Sequence, residues 1–217
     1  MARIESDNSS LVIDEGVFLQ TATIIEIEDK SNNPALPDGD ESLNMFKSGK
    51  RAELYWIVKC EVGDFTRSFF LMGSYIIDKV TGDCKGIYSG NSNRLLTFLI
   101  RLLENDKRFR AVTDRKSFAK AIADKTFMID PLLRDSLIGK KFKFLSYPTE
   151  LTSDGKLYTD VAHFYSDDED VEFVRKEWNS TREFFTKYNP MAYTQKKKKE
   201  VEFKPNPEDI ITEEDPI

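Results

Sequence analysis

The clearest pattern of apolar and polar positions is a strict alternation over residues 51–62, which read RAELYWIVKCEV. Every second side chain from Leu54 to Val62 is apolar, and this period is typical of a strand with one buried face. A turn at 63–64 (GD) follows, and residues 65–72 (FTRSFFLM) continue as a second strand. The two stretches together predict an antiparallel β-hairpin.

Three further stretches predict long strands. The β-branched residues 17–28 (VFLQTATIIEIE) form one, and residues 140–147 (KKFKFLSY) and 156–165 (KLYTDVAHFY) form a second hairpin. The Asp-Gly pair at 154–155 lies just before the last stretch and is typical of a hairpin turn. A short strand is also expected near residues 85–88.

Helical patterns separate and follow these strands. Asn93 is a suitable N-cap for a helix over 94–104, whose apolar residues recur on one face. More polar helices are expected from 114 or 117 to about 124 and over 132–137. A longer helix is predicted over about 168–188, because its apolar residues also recur at helical spacing.

The order of these elements is strand, hairpin, helical insert, hairpin, helix and tail. It lacks the regular strand–helix alternation of a doubly wound parallel sheet, and it matches an OB-fold, a small and partly open β-barrel. We therefore expect a mainly β protein with helical insertions (α+β): an OB-fold-like, partly open β-barrel with a C-terminal helix and a disordered acidic tail. The expected parts are an N-terminal arm (1–16), the barrel domain (17–165) with a long loop (29–50) and a helical insert (about 94–137), the C-terminal helix (166–194) and a mobile tail (195–217).

Charge is unevenly distributed along the chain. The whole sequence has a formal net charge of −6, but residues 94–147 contain 13 Lys and Arg against 6 Asp and Glu. Residues 205–217 contain 5 acidic residues and no basic one. A net-acidic protein can bind a polyanion when its positive charge is gathered on one face. The alternative is that the basic residues are spread over ordinary helix surfaces.

The motifs of several enzyme classes are missing from the sequence. Neither a phosphate-binding P-loop nor a dinucleotide-binding glycine motif occurs. The single histidine, His163, excludes a multi-histidine metal site and disfavours a His-based catalytic triad. The acidic run Asp167–Asp170 is explained by the helix that follows it, because negative charge is favoured at a helix N-terminus. We therefore predict no enzymatic activity, no cofactor and no metal site.

Several features bear on the cellular compartment. No stretch of about 18 apolar residues exists, so neither a membrane-spanning helix nor a membrane partner is expected. The first residues are polar and acidic, without the apolar region of a secretory signal. Cys60 and Cys84 are too few for a disulfide framework or a four-ligand zinc site, and they suit an environment of reduced thiols. These features predict a cytoplasmic protein.

One predicted strand carries an alternation of cations and rings. Lys141 and Lys143 alternate with Phe142 and Phe144, so the lysines and these rings face opposite sides of the sheet. Cations neutralise phosphates and exposed rings stack on bases, so the lysine face suits a single-stranded nucleic acid. The alternative is a solvated strand face with aromatic residues packed in the core. With the 51–72 hairpin included, the predicted nucleic-acid-binding residues are Tyr55, Lys59, Arg67, Lys141, Lys143 and Tyr147.

Four segments of the chain carry a resemblance to a known family. They are TATIIEIED (21–29), ELYWIVKCEVGDFTRSFFLMG (53–73), SNRLLTFLIRLL (92–103) and LIGKKFKFLSYPTELTSDGKLYTDVAHFY (137–165). In pattern and order, residues 17–165 resemble the OB-fold single-stranded-DNA-binding proteins of bacteriophages. The resemblance implies a protein that coats single-stranded DNA during phage DNA replication or recombination, in the cytoplasm of the infected host cell.

The C-terminal residues EDIITEEDPI (208–217) carry a second resemblance. They are similar to the acidic tip of single-stranded-DNA-binding proteins, which ends in a proline and an aromatic residue where this chain has Ile217. The resemblance implies that replication or recombination proteins dock on Asp215, Pro216 and Ile217, or that the tail regulates the protein's own basic groove. A solubilising terminus is the alternative.

Two functions from different classes follow. The first is the coating of single-stranded DNA, without enzymatic activity. The alternative is a structural or adaptor protein of the virion or replisome that uses the barrel for protein–protein contacts, because a fold does not fix a function. A metal-dependent nuclease using Asp167–Asp170 is the weakest of the interpretations. A continuous basic groove supports DNA binding, and scattered positive charge supports the adaptor.

Overall fold

The computed structural model describes residues 10–32, 53–78, 80–81 and 83–202, except for the side chains of residues 201 and 202. Residues 33–50 of the predicted loop lie outside this part of the chain. Seven antiparallel strands form one sheet within the described residues. They are β1 (Ser10–Asp14), β2 (Val17–Asp29), β3 (Glu53–Val62), β4 (Phe65–Ile77), β5 (Cys84–Ile87), β6 (Lys141–Leu151) and β7 (Leu157–Ser166).

The sheet is curled into an open half-barrel. Its strand order is β5-β4-β3-β2-β6-β7, and β1 pairs with β2. β5 pairs only with the end of β4, from Tyr75 to Ile77, so most of β4 and all of β7 are sheet edges within the described residues. These two edges face each other along a line that we term the seam. The mainly β, α+β architecture expected from the sequence is confirmed at this coarse level.

The helices of the described residues are α1 (Arg94–Leu103), α2 (Arg115–Ala121), α3 (Pro131–Asp135), α4 (Val171–Thr181) and α5 (Pro190–Glu202), with a 3-10 turn over Arg182–Phe184. Helix α1 begins at Asn93, whose side chain accepts the N–H of Leu96 at 2.9 Å. A Cβ at Gly73 would collide with the Asn93 side chain, so this glycine lets the start of α1 lie directly against β4. Helix α1 contacts both β4 and β7 and therefore bridges the seam.

The inner face of the sheet encloses the main core, which the leucines of α1 cover. Every second side chain of β3 is buried there, as the alternation predicts. Across the seam, the Phe69 ring of β4 packs edge-to-face against Phe164 of β7, with ring centroids 5.7 Å apart. The same ring contacts Phe142 and Phe144 of β6. Side-chain packing, rather than strand pairing, holds the seam together.

A second core lies on the outer face of the sheet, where α4 packs against β1, β2, β6 and β7. Trp178 of α4 is fully buried, and its Nε1 donates to Asp14 Oδ2 at 2.9 Å. The Arg175 guanidinium donates to the carbonyl oxygens of Val12 and Ile13. Helix α4 thus fastens the N-terminal hairpin to the sheet and covers one end of the outer face.

Regular structure extends further than the sequence predicts. Residues 10–14 of the expected N-terminal arm form β1, which Gly16, with a φ of +72°, turns back onto β2. Strand β4 continues to Ile77 instead of ending at residue 72. Pro190, which follows the helix predicted over about 168–188, begins the separate helix α5, since proline is tolerated in the first turn. Helix α5 therefore enters the expected tail as far as Glu202.

Candidate nucleic-acid interface

The two tyrosines predicted to stack on bases are buried. Tyr55 on β3 is 2% exposed, and Tyr147 on β6 is 4% exposed. The centroid of the Tyr147 ring lies 5.2 Å from that of Phe185 and 6.2 Å from that of Trp178, in the second core. Burial raises the pKa of both hydroxyls, to about 12 for Tyr147. A base cannot stack on a buried ring, so neither tyrosine provides a stacking surface in this conformation.

The predicted lysines lie on the outer face of the sheet. Lys141 is exposed there, and Lys143 donates from Nζ to the carbonyl oxygen of Glu169 at 3.0 Å. Lys59 Nζ lies 2.7 Å from Glu26 Oε2, and this hydrogen bond raises the pKa of Lys59. Two of the three lysines are therefore engaged with other groups of the protein.

Arg67 lies on the opposite face of the sheet from these lysines. It is paired with the buried Cys60 across the β3–β4 ladder. Its guanidinium carbon lies 5.5 Å from the ring centroid of Phe69 and 5.2 Å from that of Phe144, which are cation–π distances. Burial lowers the pKa of Arg67, although the charge of Asp160 opposes this effect. Arg67 therefore belongs to the seam and not to the lysine face.

A cleft along β7 contains Arg67. Two adjoining cavities of about 290 and 490 Å³ form it, and Arg94, Asp160, Val161 and Phe164 line both of them. The first cavity lies at the seam between β4 and β7, and the second lies between α1, β7 and α4. We term the two cavities together the β7 cleft.

Three arginines line the β7 cleft. Arg67 comes from β4, whereas Arg94 and Arg101 lie two turns apart on one face of α1. The Arg94 guanidinium donates to the carbonyl oxygen of Val161 at 2.8 Å and lies 5.6 Å from the ring centroid of Phe164. Arg94 thus satisfies a carbonyl on the free edge of β7 and holds its positive charge in the cleft.

Acidic side chains partly balance these arginines. Arg101 lies 3.8 Å from a carboxylate oxygen of Glu177 on α4, and Asp160 lines both cavities. Three arginines and two carboxylates line the cleft, and Glu104 lies 3.6 Å from Arg101 as a third carboxylate. On the outer face, the charge of Lys59 is compensated by Glu26, whereas Lys141 is exposed.

His163 lines the second cavity and is the single histidine of the chain. Its Nε2 lies 3.0 Å from Thr181 Oγ1, which itself donates to the carbonyl oxygen of Glu177 at 2.7 Å. Because the Thr181 proton is used there, the network assigns the proton of the neutral imidazole to Nε2, which donates to Thr181. Burial lowers the pKa of His163; Glu177 opposes this effect, and Arg101 and Arg94 add to it.

Phe70 belongs to the stretch of β4 that borders the seam cavity, and it is 57% exposed. Its side chain lies on the outer face of β4, opposite to Arg67 and Phe69, together with Met72, Ser74 and Ile76. The exposed ring is therefore accessible from the outer face, next to the β4 edge of the cleft.

The sequence pattern does not predict a role in binding for Arg94, Arg101, Phe70 or His163. Their common position depends on the seam, which brings β4, α1 and β7 together from distant parts of the chain. One signal was available, because a spacing of seven residues places Arg94 and Arg101 on the same helix face. Two of the six predicted residues, Arg67 and Tyr147, line the β7 cleft. The other four lie outside it: Tyr55, Lys59, Lys141 and Lys143.

The acidic run Asp167–Asp170 has structural roles. The Asp170 side chain accepts the N–H of Glu172 and caps α4, and Asp168 accepts a hydrogen bond from Asn105 Nδ2 at 3.0 Å. Within the described residues, no group of three or more His, Cys, Asp or Glu is arranged to hold a metal ion. None of the helices in that part of the chain combines the length and the apolarity that a membrane crossing needs.

The predicted docking residues Asp215, Pro216 and Ile217 lie outside the described residues. Comparisons with protein-family models, with curated proteins and with solved structures find no match for this chain. A functional assignment therefore depends on the chemistry of the site itself.

Proposed function

We propose that the chain binds single-stranded DNA along the β7 cleft and coats it during phage DNA replication or recombination. The observation that carries this proposal is the convergence of Arg67, Arg94 and Arg101 on one cleft. Single strands are bound by cationic grooves that follow the backbone and by rings that stack on bases. The β7 cleft offers the cations, and the exposed Phe70 on the outer face of β4 offers a ring next to its edge.

The proposal includes an OB-type barrel. The chain order β2, β3, β4, α1, β6, β7, with β2 between β3 and β6 in the sheet, supports it. The resemblance of residues 17–165 to phage single-stranded-DNA-binding proteins points the same way. A fully closed barrel would pair its last two edges, whereas the seam leaves room for a ligand between β4 and β7.

Arg94 and Arg101 would differ in the free energy that binding a phosphate costs them. Arg94 is already held by Val161 and Phe164, so little side-chain freedom is lost when a phosphate arrives. Arg101 lies between the carboxylates of Glu104 and Glu177 and would exchange them for a phosphate. We therefore expect Arg94 to contribute more to affinity than Arg101.

We also assign a role to the acidic C-terminus. Residues 205–217 contain five acidic side chains and no basic one, so they would be attracted to the arginines of the cleft. The tail would compete with DNA for the arginines, or dock replication or recombination proteins through Asp215, Pro216 and Ile217. A chain ending at Phe203 should therefore bind DNA more tightly than the full chain if the tail competes.

The test is fluorescence anisotropy of a labelled oligo-dT, longer than the roughly 4–16 nucleotides that one OB fold covers. The full chain and the chain ending at Phe203 are both titrated at several salt concentrations, with duplex DNA as control. We expect tight binding to the single strand, weaker binding to the duplex and a steep salt slope, because bound phosphates release counterions. Absence of single-strand binding by both proteins at low salt would refute the coating function.

Two double variants of equal charge change locate the site. Arg94→Gln with Arg101→Gln removes two charges from the cleft, and Lys59→Gln with Lys141→Gln removes two from the outer face. We expect the cleft variant to bind more weakly, with a salt slope flatter by about 0.7 for each lost phosphate contact. The outer-face variant should behave like the wild type. The reverse result would move the site to the face of Lys141 and Lys143.

The outer face of β4 favours a second candidate function. Phe70 and Met72 are neighbouring exposed apolar side chains there, and Ile76 follows beyond the polar Ser74. Exposed apolar patches mark sites of protein contact. A structural or adaptor protein of the virion or replisome would use such a surface. Lack of DNA binding, together with loss of a partner on Met72→Ser with Ile76→Ser, would favour the adaptor.

A further inference from the structure

A titratable ring lies beside the two arginines of α1. His163 is half-buried on β7, and the cavity that it lines is also lined by Arg94 and Arg101. Its Nε2 is used in the hydrogen bond to Thr181, so Nδ1 is the atom that takes a further proton. The protonation state of this ring therefore changes the charge of the β7 cleft.

The charged groups around His163 come from three elements. Arg94 and Arg101 of α1 disfavour the imidazolium form, and Glu177 of α4 favours it. Asp160 of β7 lines the same cavity.

Leu145 of β6 faces His163, and the Phe185 ring packs edge-on against it; neither is charged. The titratable rings nearby are Tyr147 of β6, in the same cavity, and Tyr165 of β7, and burial raises the pKa of both hydroxyls, so they stay neutral. Burial is the largest effect and lowers the pKa of His163, so the ring is neutral at neutral pH while the cleft is empty.

We propose that His163 is a phosphate contact of the β7 cleft, which engages the DNA strand as imidazolium and takes up one proton from solvent on Nδ1 when the strand binds. This inference rests on the proposed function. A backbone phosphate near Arg94 and Arg101 offsets their repulsion of a third positive charge, and the phosphate itself attracts the imidazolium. Binding and protonation therefore favour each other.

Proton uptake makes the affinity depend on pH with a definite sign. The bound state has the higher pKa, so the affinity is greatest below the pKa of the free protein and falls as the pH rises through the pKa of the complex. For each unit by which binding raises the pKa of His163, the affinity at a pH below the pKa of the free protein is about tenfold higher than at a pH above the pKa of the complex.

The single histidine permits a direct measurement. NMR of the His163 ring in the isotope-labelled full chain gives its pKa between about pH 5 and 8, without and with saturating oligo-dT at one low salt concentration. We expect the pKa to rise on binding. An unchanged or lowered pKa in the presence of bound oligo-dT overturns the inference and leaves single-strand binding intact. No binding at any pH overturns the proposed function instead.

The variant His163→Gln supplies a second measurement, since its amide can still donate to Thr181. At the highest pH of the titration, we expect His163→Gln to bind oligo-dT with the affinity of the wild type. At the lowest pH, we expect it to bind more weakly than the wild type, because it cannot take up the proton. Lys59→Gln on the outer face is the matched control and should keep the pH dependence. A pH dependence retained by His163→Gln means that another group takes up the proton, and the inference is then wrong. The wild-type NMR titration decides the question if the variant does not fold.

Discussion

The hydrogen bond between Trp178 and Asp14 should be measurable as a coupling between α4 and the N-terminal hairpin. Trp178 is fully buried, and its Nε1 donates to Asp14 Oδ2 at 2.9 Å. The same oxygen lies 3.4 Å from the Arg182 guanidinium, and the other carboxylate oxygen accepts the N–H of Glu15. Trp178→Phe removes the indole donor and keeps much of the apolar ring.

The expected cost of Trp178→Phe has two parts. A hydrogen bond to a charged group contributes about 1.5–3 kcal/mol, and the low end applies here because Arg182 and Glu15 still serve the carboxylate. The smaller ring leaves a void that costs about 1 kcal/mol. The free energy of unfolding should therefore fall by about 2–3 kcal/mol.

Trp56→Phe is the matched control for the lost ring volume. Trp56 is also fully buried, but its Nε1 has no hydrogen-bond partner among the described residues. The substitution removes ring atoms and an unpaired donor together, so its cost lacks the hydrogen-bond contribution. We expect it to destabilise the protein by about 1–2 kcal/mol less than Trp178→Phe.

Urea unfolding followed by far-UV circular dichroism measures these free energies, since each substitution removes one of the two tryptophan fluorophores. Asp14→Asn completes a double-mutant cycle with Trp178→Phe, with an expected coupling of about 0.5–2 kcal/mol. Burial alone raises the pKa of Asp14, but the hydrogen bonds from Trp178 and Glu15 and the charge of Arg182 outweigh it, so the pKa of Asp14 is lowered in the folded protein.

The coupling should therefore be present above the pKa that Asp14 has in the unfolded chain, and it should fade as the pH falls through the lower pKa of Asp14 in the folded protein. Equal losses for the two tryptophan variants, with an additive cycle, would refute the reasoning.

Two further predictions concern other titratable groups. Burial raises the pKa of Cys60 to about 12, whereas Cys84 is half-buried, so alkylation of the native protein followed by peptide mass spectrometry should find label on Cys84 and not on Cys60. Rapid labelling of Cys60 without unfolding would contradict its burial. Hydrogen bonds from Arg108 hold the pKa of Asp106 well below its usual range, so its stabilisation is lost as the pH falls through the folded pKa. Asp106→Asn should flatten the acid decline of the unfolding free energy in urea titrations, and a decline as steep as in the wild type would argue against this role.

The elements of this fold are largely predictable because their signals are local. The alternation of β3 marks its buried face, since the side chains of a strand point to alternate sides. Asn93 marks the start of α1, because its side chain accepts an N–H within the first turn. Pro190 is locally ambiguous, since proline both ends helices and occupies their first turn, and here it begins α5.

The accessibility of the candidate site depends on contacts between distant residues. The alternation at 140–147 correctly separates Lys141 and Lys143 from the core phenylalanines, but nothing local indicates that Trp178 and Phe185 cover Tyr147. The two faces of β4 are likewise hard to predict, because adjacent phenylalanines at 69 and 70 point to opposite sides. The β7 cleft itself exists only when the barrel has curled.

The seam also has a mechanical consequence. A barrel closed by backbone hydrogen bonds can widen only when some of them break. Across the seam, the described contacts are made by side chains, such as the ring pair of Phe69 and Phe164. Rings can slide past each other while every strand ladder remains intact. We therefore expect the half-barrel to widen most easily along the seam, with the hydrogen-bonded strands on either side of β2 keeping their register.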